Sequence, residues 1–453
     1  MFGYCPAKNT LIQRSTSFAC FIYMNIILLS GGSGKRLWPL SNRNHAKQFL
    51  PIFELPNGEY ESMLQRMYRM ISNLEIDVNI VVAAPKDQKE IIIAQLGKNV
   101  SISEEPCRRD TFPAIALASS YLHHKKEVQY DDVVIVCPID SFVDQIFFKQ
   151  LKHLHDIARN EKSHLSLMGI QPKSPSEKYG YIIPNNAETI SIIKEFKEKP
   201  DIVSAQRYIE QGALWNCGVF AFKLQYIMDI SLRLLRTFSF DEMLLQYSEF
   251  PSISFDYAVV EKEPSIQVLR FNGMWKDIGT WDSSTEVLAQ NVIGKATAFH
   301  CENTHIINKL YTPIIALGVN DLVIVATCEG ILVTSKQHSH YVKQCFQDQL
   351  GLLAKPIHIS CDCSNQTHSD DESFYSTNRI VIHSNQEMTF KKTSCHRELW
   401  TVIRGSGLIQ QQANNIRIQC GTSFFIEEGV LYNIHAISDL HIMVNYIHDI
   451  GDL

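Results

Sequence analysis

A chain of 453 residues with 45% apolar and 20% charged side chains can bury several cores, and the usual domain size implies roughly two to four domains. The formal net charge of −6 supplies no global basic field of the kind that holds nucleic acid, so any anion site has to be local. No apolar run is long enough for a membrane helix, and the twelve cysteines include no C-x-x-C pair, which points to reduced, mostly buried thiols and a cytoplasmic protein.

The first clear element is the apolar strand that starts at Met24. Residues 1–23 hold nothing a sheet needs and are expected to be a non-functional extension, with no small-residue cleavage site to make them a signal peptide. From 24 to 285 short β-branched runs alternate with longer amphipathic ones. The strands include Val78–Pro85 and Val133–Asp140; the helices include Ser62–Leu74, with apolar Met63, Met67, Met70 and Ile71, and Phe112–Lys126. This alternation predicts an α/β, Rossmann-like domain with a mostly parallel mixed sheet, ligands sitting at the carboxyl ends of its strands. A β-rich connecting segment follows over 286–355, then a polar linker over 356–378, then a small all-β domain over 379–453.

The strand ending at Leu29 runs into Gly31, Gly32, Ser33 and Gly34, then Lys35 and Arg36. Successive N–H groups in such a turn can point at one anion. A Walker loop is excluded because Leu29 stands where its first glycine belongs, and a dinucleotide fingerprint because Leu37 stands where its third belongs. Lys47 adds a further cation. Asp140 ends an apolar strand, Glu198 and Lys199 precede a proline, Asn216 lies within an apolar run, and Asp277 lies between two tryptophans. Taken singly, each has a plainer reading: a tight turn, a helix N-cap, a solvated charge run, a buried polar group with a protein partner.

Their order changes the weighing. "LLSGGSGKRLWPLS" (Leu28–Ser41), "KQF" (Lys47–Phe49), "RRDTFPAIALAS" (Arg108–Ser119), "PID" (Pro138–Asp140), "YGYI" (Tyr179–Ile182), "FKEKP" (Phe196–Pro200), "WNCGVF" (Trp215–Phe220), "DYAVVEK" (Asp256–Lys262) and "WKDIGTW" (Trp275–Trp281) together resemble the mannose-1-phosphate guanylyltransferases of the long type. The chain departs from the family pattern at Ser141, where a His is usual, and at Ala46, where a Pro is usual.

The resemblance implies GDP-mannose and pyrophosphate made from GTP and mannose 1-phosphate. No protein nucleophile is required, because the sugar phosphate is already anionic; positioning and charge stabilisation suffice. It implies that Gly31, Gly32, Ser33, Gly34 and Lys35 hold the triphosphate, with Arg36 facing the leaving pyrophosphate and Lys47 a second phosphate. Asp140 and Asp277 would hold Mg²⁺. Lys199 would contact the sugar phosphate, and Glu198, Asn216 and the Gly180 backbone the sugar hydroxyls. A homo-oligomer is expected. Open alternatives are another sugar or nucleotide, a silent regulatory subunit that binds a sugar nucleotide, and a bifunctional enzyme.

The last alternative concerns the carboxyl-terminal region. Long family members carry a cupin-like barrel with mannose-6-phosphate isomerase activity. Glu398, Trp400, Gly405 and Gly429 keep that pattern's framework here, but Thr393, Ser394, Cys395, Leu399 and Tyr432 stand where its histidines belong. One Glu, even joined by His396, is too few ligands for a metal isomerase, so the cupin-like domain is expected to be degenerate.

Overall fold

The computed structural model describes residues 23–32, 35–41, 46–160, 162–327, 329–342, 344–345, 369–370, 373–391, 397–411, 414–427 and 429–449. Ser33 and Gly34, the would-be metal positions Thr393, Ser394 and Cys395, and the linker up to residue 368 lie outside them. The chain divides into two compact units, one up to Lys343 and one from Gln344 onward.

The first unit is built on a nine-stranded sheet. In chain order its strands and the short strands beside it are β1 (Met24–Leu29), β2 (Val78–Pro85), β3 (Ser101–Glu105), β4 (Val133–Pro138), β5 (Ser141–Val143), β6 (Leu165–Ile170), β7 (Tyr181–Pro184), β8 (Ile190–Lys197), β9 (Leu214–Lys223), β10 (Ile266–Phe271) and β11 (Trp275–Asp277). The sheet order is β3-β2-β1-β4-β9-β6-β10-β8-β7, with β9 also touching β7. Strands β3, β2, β1 and β4 run parallel, joined by helical crossovers. Strand β9 runs against both β4 and β6. The sheet is therefore mixed, and its continuous parallel block is the half built from residues 24–138. The β7–β8 turn is too short for a crossover, so those strands pair antiparallel.

Two-residue alternation along each strand feeds a core on either face. Met24, Ile26 and Leu28 pack with Leu64, Met67, Phe147 and Leu151. Ile27 points the other way, toward Phe112, Ile115, Leu117 and Ile227. The helices begin where local hydrogen bonding allows. Ser62 and Gln65 form a reciprocal capping box at the start of Met63–Ser72. Asp110 accepts the Thr111 N–H at 2.7 Å to open the helix Thr111–Lys126, and Pro113 sits in the first turn, where an N–H has no partner to lose.

After β11 come the helix Trp281–Thr285 and short strands, among them His305–Asn308, Leu322–Thr327 and Gly330–Ser335. His305–Asn308 and Leu322–Thr327 pair parallel; the last two form a hairpin. Ile307, Val323 and Val325 from this segment share a core with Leu37, Ile278 and Trp281.

The second unit holds two antiparallel sheets, of five and four strands. Its core includes Trp400, Ile409, Tyr432, Ile434 and Ile442. Phe390 stacks on Trp400 at 4.5 Å and on Tyr432 at 5.3 Å, with interplanar angles of 13° and 10°. Glu398 is buried and accepts the Trp400 indole N–H at 3.0 Å. Tyr432, at an expected ligand position, accepts N–H groups from Gln411 and Glu427 through its hydroxyl.

Among the described residues no helix is long and apolar enough to cross a membrane. Six cysteines are described and all are free thiols; only Cys137 and Cys217 are buried, so the expectation of mostly buried thiols holds for those two alone.

Candidate active site

Strand β1 ends at Leu29 and delivers Ser30, Gly31 and Gly32 to the carboxyl rim of the parallel block, where β4 delivers Asp140. Lys35–Leu37 forms a short 3₁₀ turn. Lys47 lies in a second such turn, and its side chain is directed inward: the ammonium donates to Asp140 Oδ2 at 3.1 Å and to the Ile278 carbonyl at 3.0 Å. Only 9% of Lys47 is exposed. Its charge is thus committed to tying Asp140 to the segment that follows Asp277. Asp140 does not cap the next helix; Asp144 does, accepting the Phe147 N–H at 3.1 Å.

Asp277 reaches the same place by strand pairing. β11 lies antiparallel to β5 with Asp277 opposite Ser141, next to Asp140. Burial raises the Asp277 pKa, and the Asp140 charge raises it further, while Lys47, Arg36 and Lys178 pull it down. Arg36 approaches from the glycine turn. A Cβ on Gly279 would sit 3.3 Å from the Arg36 guanidinium and 3.2 and 3.3 Å from the two Asp277 oxygens. Two adjacent carboxylates, one half-buried with its pKa raised, suit a hard dication that keeps waters and phosphate oxygens as its other ligands. Among the described residues no group of three or more His, Cys, Asp or Glu side chains could hold a metal by itself.

Alongside lies a cavity of ≈ 340 Å³ lined by Gly31, Gly32, Lys47, Gln48, Glu105, Arg108, Thr111 and Asp140, among others. Glu105 accepts the Tyr247 hydroxyl at 2.8 Å, yet burial pushes its pKa up to about 7. Gln48 and Ser30 both donate to Gln88 Oε1, whose amide nitrogen is buried without a partner. Arg108 spans from the Gly32 carbonyl to Asp87.

A second cluster forms around Gly180. A Cβ there would lie 2.5 Å from Glu198 Oε2 and 2.7 Å from the Phe196 ring, so only glycine lets this backbone approach the carboxylate. The Gly180 carbonyl accepts the Asn216 N–H at 2.8 Å. Glu198 is no solvated charge: its side chain is 4% exposed and pairs with the Lys199 ammonium. Burial lowers the Lys199 pKa, but Glu198 outweighs it and the net shift is upward. Lys199 has φ +46°, a left-handed backbone uncommon for a non-glycine residue. Asn216 donates to Asp256 Oδ1 at 2.7 Å. Asp256 is half-buried beside Glu198, and its pKa is pushed up to about 7, first by loss of solvent and then by that neighbouring charge.

The two clusters meet at Tyr179, whose ring packs on Trp215 at 4.7 Å and Trp275 at 5.7 Å. Its phenol pKa is raised by burial and by the charges of Asp277 and Asp140.

A family model described as nucleotidyl transferase matches residues 25–292, the whole of both clusters. The chain belongs to the nucleotidyltransferase family.

Within that family it falls with the mannose-1-phosphate guanylyltransferases. Mannose-1-phosphate guanylyltransferase RfbM of Salmonella typhimurium is 31% identical over 91% of each chain. Xanthan biosynthesis protein XanB of Xanthomonas campestris pv. campestris strain B100 is also 31% identical, over 90% of this chain and 91% of that one. Among solved structures, one described as a mannose-1-phosphate geranyltransferase from Thermus thermophilus matches with a TM-score of 0.61 and 26% identity, covering 72% of this chain and 98% of that one.

In this nucleotidyltransferase the fold brings Arg36, Lys47, Asp140 and Asp277 together at one centre, and Gly180, Glu198, Lys199 and Asn216 at the other. Gly31 and Gly32 line the cavity, and Lys35 opens the turn beside it. Three participants escape a reading of single residues. Asp256 lies within a quoted motif but is tied to the site only by its bond to Asn216. Glu105 and Gln88 lie outside the quoted motifs; the parallel pairing of β2 and β3 brings Glu105 to the cavity, and Gln88 is joined to it through Ser30 and Gln48.

Proposed function

We propose that this nucleotidyltransferase makes GDP-mannose and pyrophosphate from GTP and mannose 1-phosphate. The observation that carries the reading is the β5–β11 pairing, which sets Asp277 beside Asp140 at the mouth of a nucleotide-sized cavity. The triphosphate lies along Gly31–Lys35, its base in the cavity. There the Glu105 carboxylate is an acceptor suited to the paired N–H donors of a guanine edge. Gly180, Glu198 and Asn216 hold the sugar hydroxyls, and Lys199 faces the sugar phosphate.

The mannose 1-phosphate oxygen attacks the α-phosphorus in line; the new P–O bond forms as the bond to the β-phosphate bridging oxygen breaks, and pyrophosphate leaves with that electron pair. No proton moves. Arg36 offsets charge on the leaving group, and Lys47 holds Asp140 in place. Asp140 and Asp277 would hold Mg²⁺, which would supply neutralisation of the phosphate charge.

Strands 369–449 form, in this reading, a cupin-like barrel without isomerase activity. Trp400, Phe390 and Tyr432 fill its interior with a stacked aromatic core in place of a histidine-lined metal cavity.

The test is product identity from four nucleoside triphosphates, each offered several sugar 1-phosphates with Mg²⁺. GDP-mannose as the preferred product is expected. Another pair identifies another substrate, and no turnover with any pair leaves a silent sugar-nucleotide-binding subunit.

A further inference from the structure

The turn that follows Arg36 is closed on itself: the Leu37 N–H donates to Ser41 Oγ at 3.1 Å, and the Ser41 N–H to the Leu37 carbonyl at 2.9 Å. Its tip, Trp38–Pro39, is gripped from outside the nucleotidyltransferase sheet. Thr327 Oγ1 donates to the Pro39 carbonyl at 3.3 Å. The Trp281 indole donates to the Trp38 carbonyl at 2.9 Å. Gly330, at the start of the returning hairpin strand, presses on the Trp38 ring: a Cβ there would lie 2.6 and 2.8 Å from Cζ2 and Cη2, at a φ of +150°. The same segment also holds the other half of the centre. Ser339, itself buried, accepts the Asp282 N–H through its Oγ at 3.2 Å and so anchors the helix that follows Asp277.

We infer that the β-rich segment 304–342 clamps the phosphate turn, with Gly330 and Thr327 acting as positioning residues for Arg36 and Ser339 as one for Asp277. None of the three touches substrate. Each acts through a residue that, on the nucleotidyl-transfer reading above, either faces the leaving pyrophosphate (Arg36) or would hold Mg²⁺ (Asp277). The clamp matters because Arg36 extends from a short turn whose own hydrogen bonds fix its shape but not its placement. A displacement of about 1 Å in a charge-stabilising group is enough to cost roughly a hundredfold in rate.

The experiment is a set of double-mutant cycles on the full chain. Gly330→Ala and Thr327→Val are made alone and with Arg36→Ala. Pyrophosphate release and calorimetric binding of Mg·GTP are measured, and circular dichroism checks folding. Gly330→Ala is expected to lower kcat by about tenfold or more and to weaken GTP binding, with the KM for mannose 1-phosphate nearly unchanged. In the Arg36→Ala background the same substitution should cause little further loss, because the residue it positions is gone. Full additivity with Arg36→Ala, or wild-type kinetics in a folded Gly330→Ala protein, overturns the clamp. If Gly330→Ala does not fold, Thr327→Val adds no bulk and carries the same cycle. If the parent releases no pyrophosphate with any substrate pair, the activity reading fails while the GTP-binding cycle still decides the clamp. A parent that binds no triphosphate overturns both.

Discussion

Asn216 donates its side-chain amide to the Asp256 carboxylate across 40 residues of sequence, and that same carboxylate sits half-buried beside Glu198. The amide is thereby fixed with its oxygen turned to the Gly218 N–H at 3.0 Å. Asp256 orients the residue proposed to read the sugar, and it carries an energetic cost in doing so.

That cost has a sign. The Asp256 pKa stands at about 7 in the folded chain against an ordinary 3.8. Between those values the folded state keeps a proton the unfolded state has lost. The contribution to stability is therefore complete below about pH 4 and is lost as pH rises toward 7. Asp256→Asn should flatten the fall in Tm over that window and raise the KM for mannose 1-phosphate. An unchanged Tm slope would mean the carboxylate is better solvated than its burial implies. Glu105, raised from 4.5 to about 7, adds a similar slope that Glu105→Gln removes separately.

Asp140→Asn and Asp277→Asn should each lower kcat about a hundredfold or more, the loss expected when a charge-stabilising group is removed from an active centre. Because Asp277 is half-buried beside another carboxylate and its pKa is raised, its neutral isostere should leave Tm equal to or above that of the parent. Steady-state kinetics with a thermal melt test both halves, and near-native turnover in either variant removes that residue from metal binding.

Gly180→Ala drives a methyl into Glu198 and Phe196. The KM for the sugar phosphate should rise by about tenfold, the scale of one lost hydrogen bond to a charged group, while the KM for GTP stays put. Equal effects on both substrates would mean that the Glu198 cluster does not hold the sugar.

The intact chain should not interconvert mannose 6-phosphate and fructose 6-phosphate with added Zn²⁺, Co²⁺ or Mn²⁺. The Tyr432 hydroxyl is already occupied by two N–H donors, and Leu399 offers no ligand atom. Metal-dependent isomerase turnover would contradict the filled-barrel reading.

A chain ending at Lys343 should fold and keep turnover, whereas one ending at residue 285 should lose it. The second cut removes Ile307, Val323 and Val325 from the core they share with Leu37, Ile278 and Trp281. Comparison of the two by circular dichroism and pyrophosphate release decides this, and an active 24–285 protein would refute it.

The sequence is most readable where chemistry and local structure coincide. Arg36 follows a glycine turn, Asp140 ends a strand, and Asp277 sits in a tryptophan-framed motif; each carries its signal within a few residues. What stays hidden depends on contacts between distant stretches. Asp256 acquires its role only when β9 brings Asn216 against it. Lys47 reads as a phosphate ligand because a cation near a glycine loop has that pattern, but its partners, Asp140 and Ile278, are distant in the chain. The direction of β9 is likewise invisible, since a ten-residue apolar strand has the same pattern whichever way it runs.

That reversed strand has a consequence for how such a protein can diverge. The cavity and glycine turn draw most of their side chains from residues 30–111, while Gly180, Glu198, Lys199, Asn216 and Asp256 come from beyond the parallel block. On the proposed reading, nucleotide and sugar preferences would be encoded in largely separate stretches of chain, whose clusters meet at Tyr179. On the proposed reading, exchange of residues 171–223 with those of a relative would bear on the choice of sugar, whereas a longer exchange would also replace Tyr247, which donates to Glu105 in the nucleotide cavity.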